Sequence, residues 1–283
     1  MTESSKEFTH NLYTEFLAAE RRVLGLEFFG NYMNWGYWKA DTENQIEACA
    51  NLASLVFDLI PSLGGQILEV GCGIGGITRQ LSDRVPAEHI TAINLFDEQL
   101  VQCRKLVPGA NFMVMDAAAM TFPDETFDNI VSVEAAHHFN TRESFFRGAL
   151  RVLKPGGYIS LCDIIGYPLE GRQSHIADPR SYQEFLSDLG FCEVRVTDIT
   201  ADTAHAHADY VMGWLREQQR RGLIDEAKVE LGGIGRVVRM ALSPFYVAVC
   251  ARKPIPGKPS WRTAHGEHIN ATLKALLVKT ADV

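Results

Sequence analysis

The 283-residue chain has six cysteines, Cys49, Cys72, Cys103, Cys162, Cys192 and Cys250, and no C-x-x-C pair among them. That spacing excludes a zinc knuckle and a disulfide framework, so reduced thiols are expected. No run approaches the roughly 20 apolar residues of a membrane span. Met1 to His10 is polar and has no apolar h-region, so neither a span nor a leader is expected, and the place expected is the cytoplasm. Cationic charge is also scarce. Lys and Arg number 27 against 35 Asp and Glu, a formal net charge of -8, which excludes nucleic acid and anionic membrane as expected partners. Arg216, Arg220 and Arg221 share one expected helix with Glu217 among them and read as solvated surface. No internal repeat and no low-complexity block is present.

What is present is 46% apolar composition, enough to bury one full α/β core and carry extra segments. Apolar residues between Glu7 and Gly30 recur at helical spacing and suggest lid helices. The aromatic run Asn31-Tyr-Met-Asn-Trp-Gly-Tyr-Trp38 follows, then a helix starting at Asp41-Thr-Glu-Asn and stopped before Pro61. From there strands alternate with helices: Gln66–Val70, Ile90–Leu95, Phe112–Met115, Asp128–Val133 and Tyr158–Asp163 are strands. Ile77–Val85, Asp97–Leu106 and Glu143–Leu153 are the helices between them. This regularity predicts a doubly wound α/β fold with a parallel sheet.

The later chain breaks the alternation. Ser181–Leu189 is a helix, and Cys192–Ile199 and Pro244–Arg252 are strands separated by about forty residues of helical pattern, Ala204–Leu242, far longer than a hairpin needs. The division expected is therefore lid helices and aromatic segment over 1–60, an α/β core over 61–200 and an inserted helical cap over 201–243. The final strand of the core then covers 244–253, and a linker with a C-terminal helix, His268–Lys279, covers 254–283. His205 and His207, two residues apart with no third ligand nearby, read as surface residues rather than a metal site.

Strand, glycine turn and helix meet at Gly71-Cys-Gly-Ile-Gly-Gly76. Gly71, Gly73 and Gly76 have the G-x-G-x-x-G spacing of dinucleotide sites, where absent Cβ atoms let backbone approach a ligand. Glu69 turns the reading elsewhere, because a carboxylate two residues before the turn repels a pyrophosphate and suits a cation. S-adenosylmethionine, with an ammonium and a sulfonium, is such a ligand. A strand-end carboxylate capping nearby amides is the plainer role for Glu69. At the second strand end stands Asn94, whose amide can bond a ribose hydroxyl. Gln99 either adds a ribose contact or is an ordinary exposed helix residue. Asp116, beside Ala117, is placed to accept from the exocyclic amine of adenine.

The runs E-V-G-C-G-I-G-G, M-D-A-A-A-M-T-F-P-D-E-T-F-D and V-L-K-P-G-G-Y, in that order, resemble the class I S-adenosylmethionine-dependent methyltransferases over about Asn31 to Arg252. The resemblance implies a Rossmann-like seven-stranded sheet with the last strand antiparallel. N-W-G-Y-W-K, V-E-A-A-H-H-F-N-T-R-E-S-F-F-R-G-A, L-C-D-I-I and F-Y-V-A-V-C-A-R-K-P resemble the erythromycin-type sugar O-methyltransferases, and the His-His pair the rebeccamycin type. I-N-L-F-D-E-Q and V-E-A-A-H are similar also to sterol and tocopherol C-methyltransferases and to the phthiotriol O-methyltransferase. The resemblance implies Gly71, Gly73 and Gly75 as the cofactor loop, Glu69 as its acidic support, Asn94 and Gln99 at the ribose, and Asp116 with Ala117 at the adenine. Tyr32, Trp38, Cys72, Leu95 and Glu134 complete the set expected at the donor. Asn94 departs from the commonest acidic form.

Methyl transfer from a sulfonium to a hydroxyl needs alignment, exclusion of water and a base for the hydroxyl proton. His137 and His138 follow the fourth strand, at the carboxyl edge of the sheet where open α/β folds bind substrates. The expected arrangement is one base, His138, and one positioning group, His137. Asp163, ending the fifth strand, would orient an imidazole; the plain alternative is a histidine in the wall and Asp163 capping a helix. Tyr32, Trp35, Tyr37 and Trp38 either close over the sulfonium or pin the N-terminal helices to the core. The reaction expected is O-methylation of a small natural-product acceptor, a polyketide or glycoside hydroxyl, with no metal, S-adenosylhomocysteine as the other product, and a homo-oligomer compatible with it. C-methylation of an isoprenoid-type acceptor is the rival chemistry, and a non-catalytic adenosyl-binding regulator the rival of another class.

Overall fold

The computed structural model describes residues 24, 28–166, 176–230, 232–233 and 245–257. The lid helices expected before Gly30 fall outside these, apart from residues 24 and 28–30, as does the expected helix His268–Lys279.

The first described helix, α1 (Gln45–Asp58), is capped by Asn44, whose side chain accepts from Glu47 N–H. It starts later than the Asp41 expected, because residues 39–42 close a turn in which Lys39 N–H donates to Thr42 Oγ1 at 2.9 Å and Thr42 N–H to Lys39 O at 3.1 Å. There follow β1 (Ile67–Val70), α2 (Gly76–Leu81), β2 (Ile90–Asn94), α3 (Asp97–Leu106), β3 (Asn111–Val114) and β4 (Phe127–Val133). Then come α4 (Arg142–Val152), β5 (Leu153–Ile165), α5 (Pro179–Asp188), β6 (Cys192–Asp198), α6 (Ala206–Arg220) and β7 (Phe245–Arg252). Thr141 and Asp178 cap α4 and α5, and Pro179 occupies the first turn of α5, where no backbone N–H is needed. β5 begins five residues before the expected Tyr158, because Leu153 already pairs with Phe127 and a register shift between Phe127 and Asn129 takes up the intervening K-P-G-G.

The seven strands lie in the order β3-β2-β1-β4-β5-β7-β6. β1 pairs in parallel with both β2 and β4, while β7 runs antiparallel between β5 and β6. The expected fold class is thus the observed one. Its consequence is positional: chain order reverses at β1, so the crevice beyond the carboxyl ends of β1 and β4 is the topological switch point where ligands bind.

Each face of the sheet is covered. Phe145, Phe146, Val152 and Tyr182 of α4 and α5 pack on one side with Ile130, Ile159 and Val247. Leu52, Val56 and Phe57 of α1 and Ile77 and Leu81 of α2 pack on the other with Val131, Cys162 and Tyr246. Phe57, Phe145 and Phe146 are at most 1% exposed, each burial contributing roughly 1.5–3 kcal/mol relative to an exposed ring.

The described part of the expected cap is helical in pieces. A π-helical turn, Ala201–His205, leads into α6, which ends in a turn at 221–222, and the chain is helical again at 226–230. One local reading is corrected. His205 is exposed, but His207 is fully buried, its Nδ1 2.8 Å from Gln45 Oε1, so it is not a surface residue. Among the described residues no helix is long and apolar enough to cross a membrane, and no group of three His, Cys, Asp or Glu could hold a metal ion.

Candidate active site

A cleft of about 890 Å³, including its solvent-open mouth, lies at the switch point. Its walls come from residues 31–34, the glycine turn, the ends of β2, β3 and β4, and the short helical turn Ala136–His138.

The floor is the glycine turn. Gly71 N–H and Cys72 N–H both donate to Ile93 O, at 2.9 and 3.2 Å, and Gly75 N–H closes on Cys72 O at 3.0 Å, so the turn is anchored to β2. Two glycines are required by close approach. Gly73 has φ +54°, and a Cβ there would stand 2.9 Å from Met33 Sδ; at Gly76 a Cβ would collide with the carbonyl oxygen of Asn31. Residues 31–34 therefore fold over the turn only because Gly73 and Gly76 carry no side chains. Gly71, Cys72, Gly73 and Gly76 line the cleft, whereas Gly75 packs on Cys103 behind it.

Glu69 lies behind the turn, 2% exposed in β1. Burial pushes its carboxyl up to about 7, with the Thr78 hydroxyl beside it opposing the rise. Its Oε2 has no hydrogen-bond partner among the described residues. A buried carboxylate with an unmatched oxygen and a raised proton affinity is an arrangement that a cation nearby would stabilise in its charged form.

Asn94 and Gln99 both line the cleft and are bonded to each other, Asn94 Nδ2 donating to Gln99 Oε1 at 2.6 Å. This fixes both amides, leaving Asn94 Oδ1 as acceptor and Gln99 Nε2 as donor for vicinal hydroxyls. Leu95 continues the same wall. Asp116 caps the turn Ala117–Ala119, Oδ1 accepting from Ala118 N–H at 2.9 Å, and both Asp116 and Ala117 reach the cleft. Glu134 follows β4 with φ +55°, a left-handed conformation rare for a residue with a side chain, and its Oε2 accepts from Trp35 N–H at 2.8 Å.

The aromatic segment divides. Tyr32 lines the cleft, but its hydroxyl donates to Gln80 Oε1 at 3.1 Å, which directs it to α2. Trp38 is not in the wall. Its Nε1 donates to Trp35 O and its ring packs against Tyr210 of α6, centroids 4.4 Å apart, so the expected donor contact is corrected to a contact with the cap. Asn31, Met33 and Asn34 line the cleft instead. Their neighbours in the sequence are aromatic, and no local pattern marks these three.

His138 lines the cleft; His137 does not, and sits against it with ring centroids 4.0 Å apart. His137 Nδ1 lies 3.4 Å from Asp163 Oδ1. Asp163 is fully buried and is a hub rather than a cleft residue. It accepts from Arg142 Nε at 2.8 Å, from Tyr182 Oη at 2.9 Å and from Ile164 N–H at 2.9 Å. Burial alone would raise its carboxyl, but the Arg142 guanidinium outweighs that, with His137 adding to it, and holds the group well below the usual carboxylate range. Arg142 also donates to Ile164 O at 2.7 Å. Neither Arg142 nor Tyr182 was expected here, since they reach Asp163 from α4 and α5 across the sheet edge. The arrangement offers a cleft imidazole packed, at a 48° tilt, against a second one held by an ionised carboxylate.

Residues 68–161, the strand, turn and helix units that build this cleft, match the model of a family described as a methyltransferase domain. Erythromycin 3''-O-methyltransferase of Saccharopolyspora erythraea is 29% identical over 249 residues, 74% of this chain and 79% of that protein. The chain is an S-adenosylmethionine-dependent methyltransferase. The methyltransferase is also similar to the 2-methyl-6-phytyl-1,4-hydroquinone methyltransferase of Synechocystis sp., 39% identical over 189 residues, which is 56% of this chain and 59% of that one. Among solved structures, that of the [4+2]-cyclase SpnF superposes with a TM-score of 0.66 at 23% identity, covering 89% of this chain and 97% of that chain, a likeness of fold. The methyltransferase's cleft fits the donor on one count that belongs to the structure itself: the unmatched Glu69 oxygen behind the glycine turn suits a positively charged group.

Proposed function

We propose that this methyltransferase methylates a hydroxyl oxygen of a small natural product, a polyketide or glycoside alcohol, with His138 as the general base. The observation that carries the reading is that His138 shares one cleft with the glycine turn, Asn94, Gln99 and Asp116. When bound, S-adenosylmethionine supplies a methyl group already activated on a sulfonium. The chain's own residues bind and orient around it. Asn94 and Gln99 meet the ribose hydroxyls, Asp116 and Ala117 the adenine edge, and Glu69 opposes the ammonium from behind the turn. Residues 31–34 close over the floor and exclude water.

An alcohol hydroxyl ionises far above neutrality, so a base must take its proton as the new C–O bond forms. His138 receives that proton. His137, held by the ionised Asp163, packs against His138 and fixes its ring. The similarity to the erythromycin 3''-O-methyltransferase supports oxygen as the methylated atom, while the similarity to the phytyl hydroquinone protein supports a prenylated acceptor.

Incubation with S-adenosylmethionine labelled with carbon-13 in the methyl group, against a panel of macrolide glycosides, polyketide alcohols and prenylated hydroquinones, decides between them. The expected product carries its label in a methoxy resonance. A label found only on carbon would overturn O-methylation and leave the donor site standing.

A further inference from the structure

Residues 31–38 lie in neither helix nor strand, yet four of them wall the donor cleft. A buried irregular segment must find partners for its carbonyls outside any ladder. Here side chains provide them, and one of them reaches two carbonyls. Gln45, the first residue of α1 and 1% exposed, donates from Nε2 to Asn34 O at 3.2 Å and to Trp35 O at 3.1 Å. Cys49, one turn on, donates to the same Asn34 carbonyl at 3.0 Å. With Nε2 committed to carbonyls, Gln45 presents Oε1 on its other side, where His207 Nδ1 of α6 stands 2.8 Å away. An amide oxygen can only accept, so His207 must carry its proton on Nδ1. The His207 ring also lies parallel to Trp35, 1° between planes and 6.0 Å between centroids. Trp35 N–H in turn donates to Glu134 Oε2 in the cleft wall.

We propose that His207 and Gln45 are positioning residues for donor binding. His207 orients the Gln45 amide, and the amide sets the two consecutive carbonyls that shape the Asn31–Asn34 wall. Neither residue lines the cleft, and both act through that wall. The inference rests on the reading of the cleft as the donor site. It further makes the cap helix α6 part of the donor machinery, linked to the wall by one hydrogen bond and one aromatic contact.

Two substitutions separate the bond from the packing. His207→Phe keeps an aromatic ring against Trp35 and removes the donor; His207→Asn places an amide N–H where Nδ1 stands and removes the ring. The proposal expects His207→Phe to weaken S-adenosylhomocysteine binding about tenfold and to raise the donor KM by a similar factor, with kcat within about threefold of the parent. His207→Asn is expected to recover most of that affinity even where its melting temperature is lower. A donor KM unchanged in His207→Phe, or equal impairment in both variants, would overturn the proposal as mere packing. Should His207→Phe fail to fold, nitrogen-15 histidine spectra of the parent protein decide: an Nδ1–H signal for His207 whose exchange slows on adding S-adenosylhomocysteine is expected, and an Nε2–H tautomer overturns it. A parent protein that takes up no S-adenosylhomocysteine would instead remove the donor site, and this inference with it.

Discussion

Replacing His138 by alanine is expected to lower kcat for methylation of a hydroxyl acceptor by about 10²–10⁴-fold, the usual contribution of a positioned general base, while S-adenosylhomocysteine affinity stays within about twofold. The split follows from geometry. His138 reaches the cleft from the turn Ala136–His138, beyond the end of β4, whereas the floor is built from the glycine turn and β2. His137→Ala is expected to cost less, since His137 packs against His138 without lining the cleft. Single-turnover rates beside a binding titration measure both quantities. Full activity in His138→Ala removes the base assignment, and a large fall in cofactor affinity would make His138 a wall residue.

The second large effect concerns stability. Asp163→Asn removes the charge that matches the Arg142 guanidinium, whose side chain is only 16% exposed. An orphaned buried cation costs about 3–5 kcal/mol, so the variant is expected to unfold that much more readily at pH 7. The pH dependence has a definite sign. The folded carboxyl titrates below its ordinary value of 3.8, so the native state binds fewer protons there than the unfolded chain. The stabilisation is complete above the unfolded pKa and is lost as pH falls through the depressed folded one. Urea unfolding of both proteins between pH 3 and 7 should therefore show a gap that is full from about pH 5 upward and narrows in acid. The pair Asp163→Leu with Arg142→Met should recover part of the loss. A difference under about 1 kcal/mol at pH 7 would mean that the ion pair does not hold this edge of the sheet together.

Much of the fold was legible because its signals are local. Gln66–Val70 followed by glycines reads as strand and turn, and Asn94, Asp116 and Glu134 each lie within two residues of a strand's carboxyl end. Strand ends gather at one edge of a parallel sheet, so residues picked by that rule converge in the cleft without any knowledge of contacts. What escaped has partners far away in the chain. Arg142 and Tyr182 reach Asp163 from 21 and 19 residues away, and His207 meets Gln45 across 162. Residue type misled there: two histidines near a helix start look solvated, and only the packing of α6 on α1 and Trp35 buries one of them. Trp38 misled in the opposite sense, an aromatic beside a cationic site by sequence that turns its ring to Tyr210. Gly76 enters the sequence pattern by spacing alone, whereas its steric role depends on where Asn31 passes.

Calorimetric titration of S-adenosylhomocysteine into the protein at pH 6, run in two buffers of different ionisation enthalpy, tests the central claim most directly. Glu69, titrating near 7 in the free protein, should ionise beside the ligand's ammonium, so one-site saturation with release of most of a proton is the predicted result. No saturable heat, or saturation that releases no proton, would contradict an adenosyl site resting on this turn and this carboxylate.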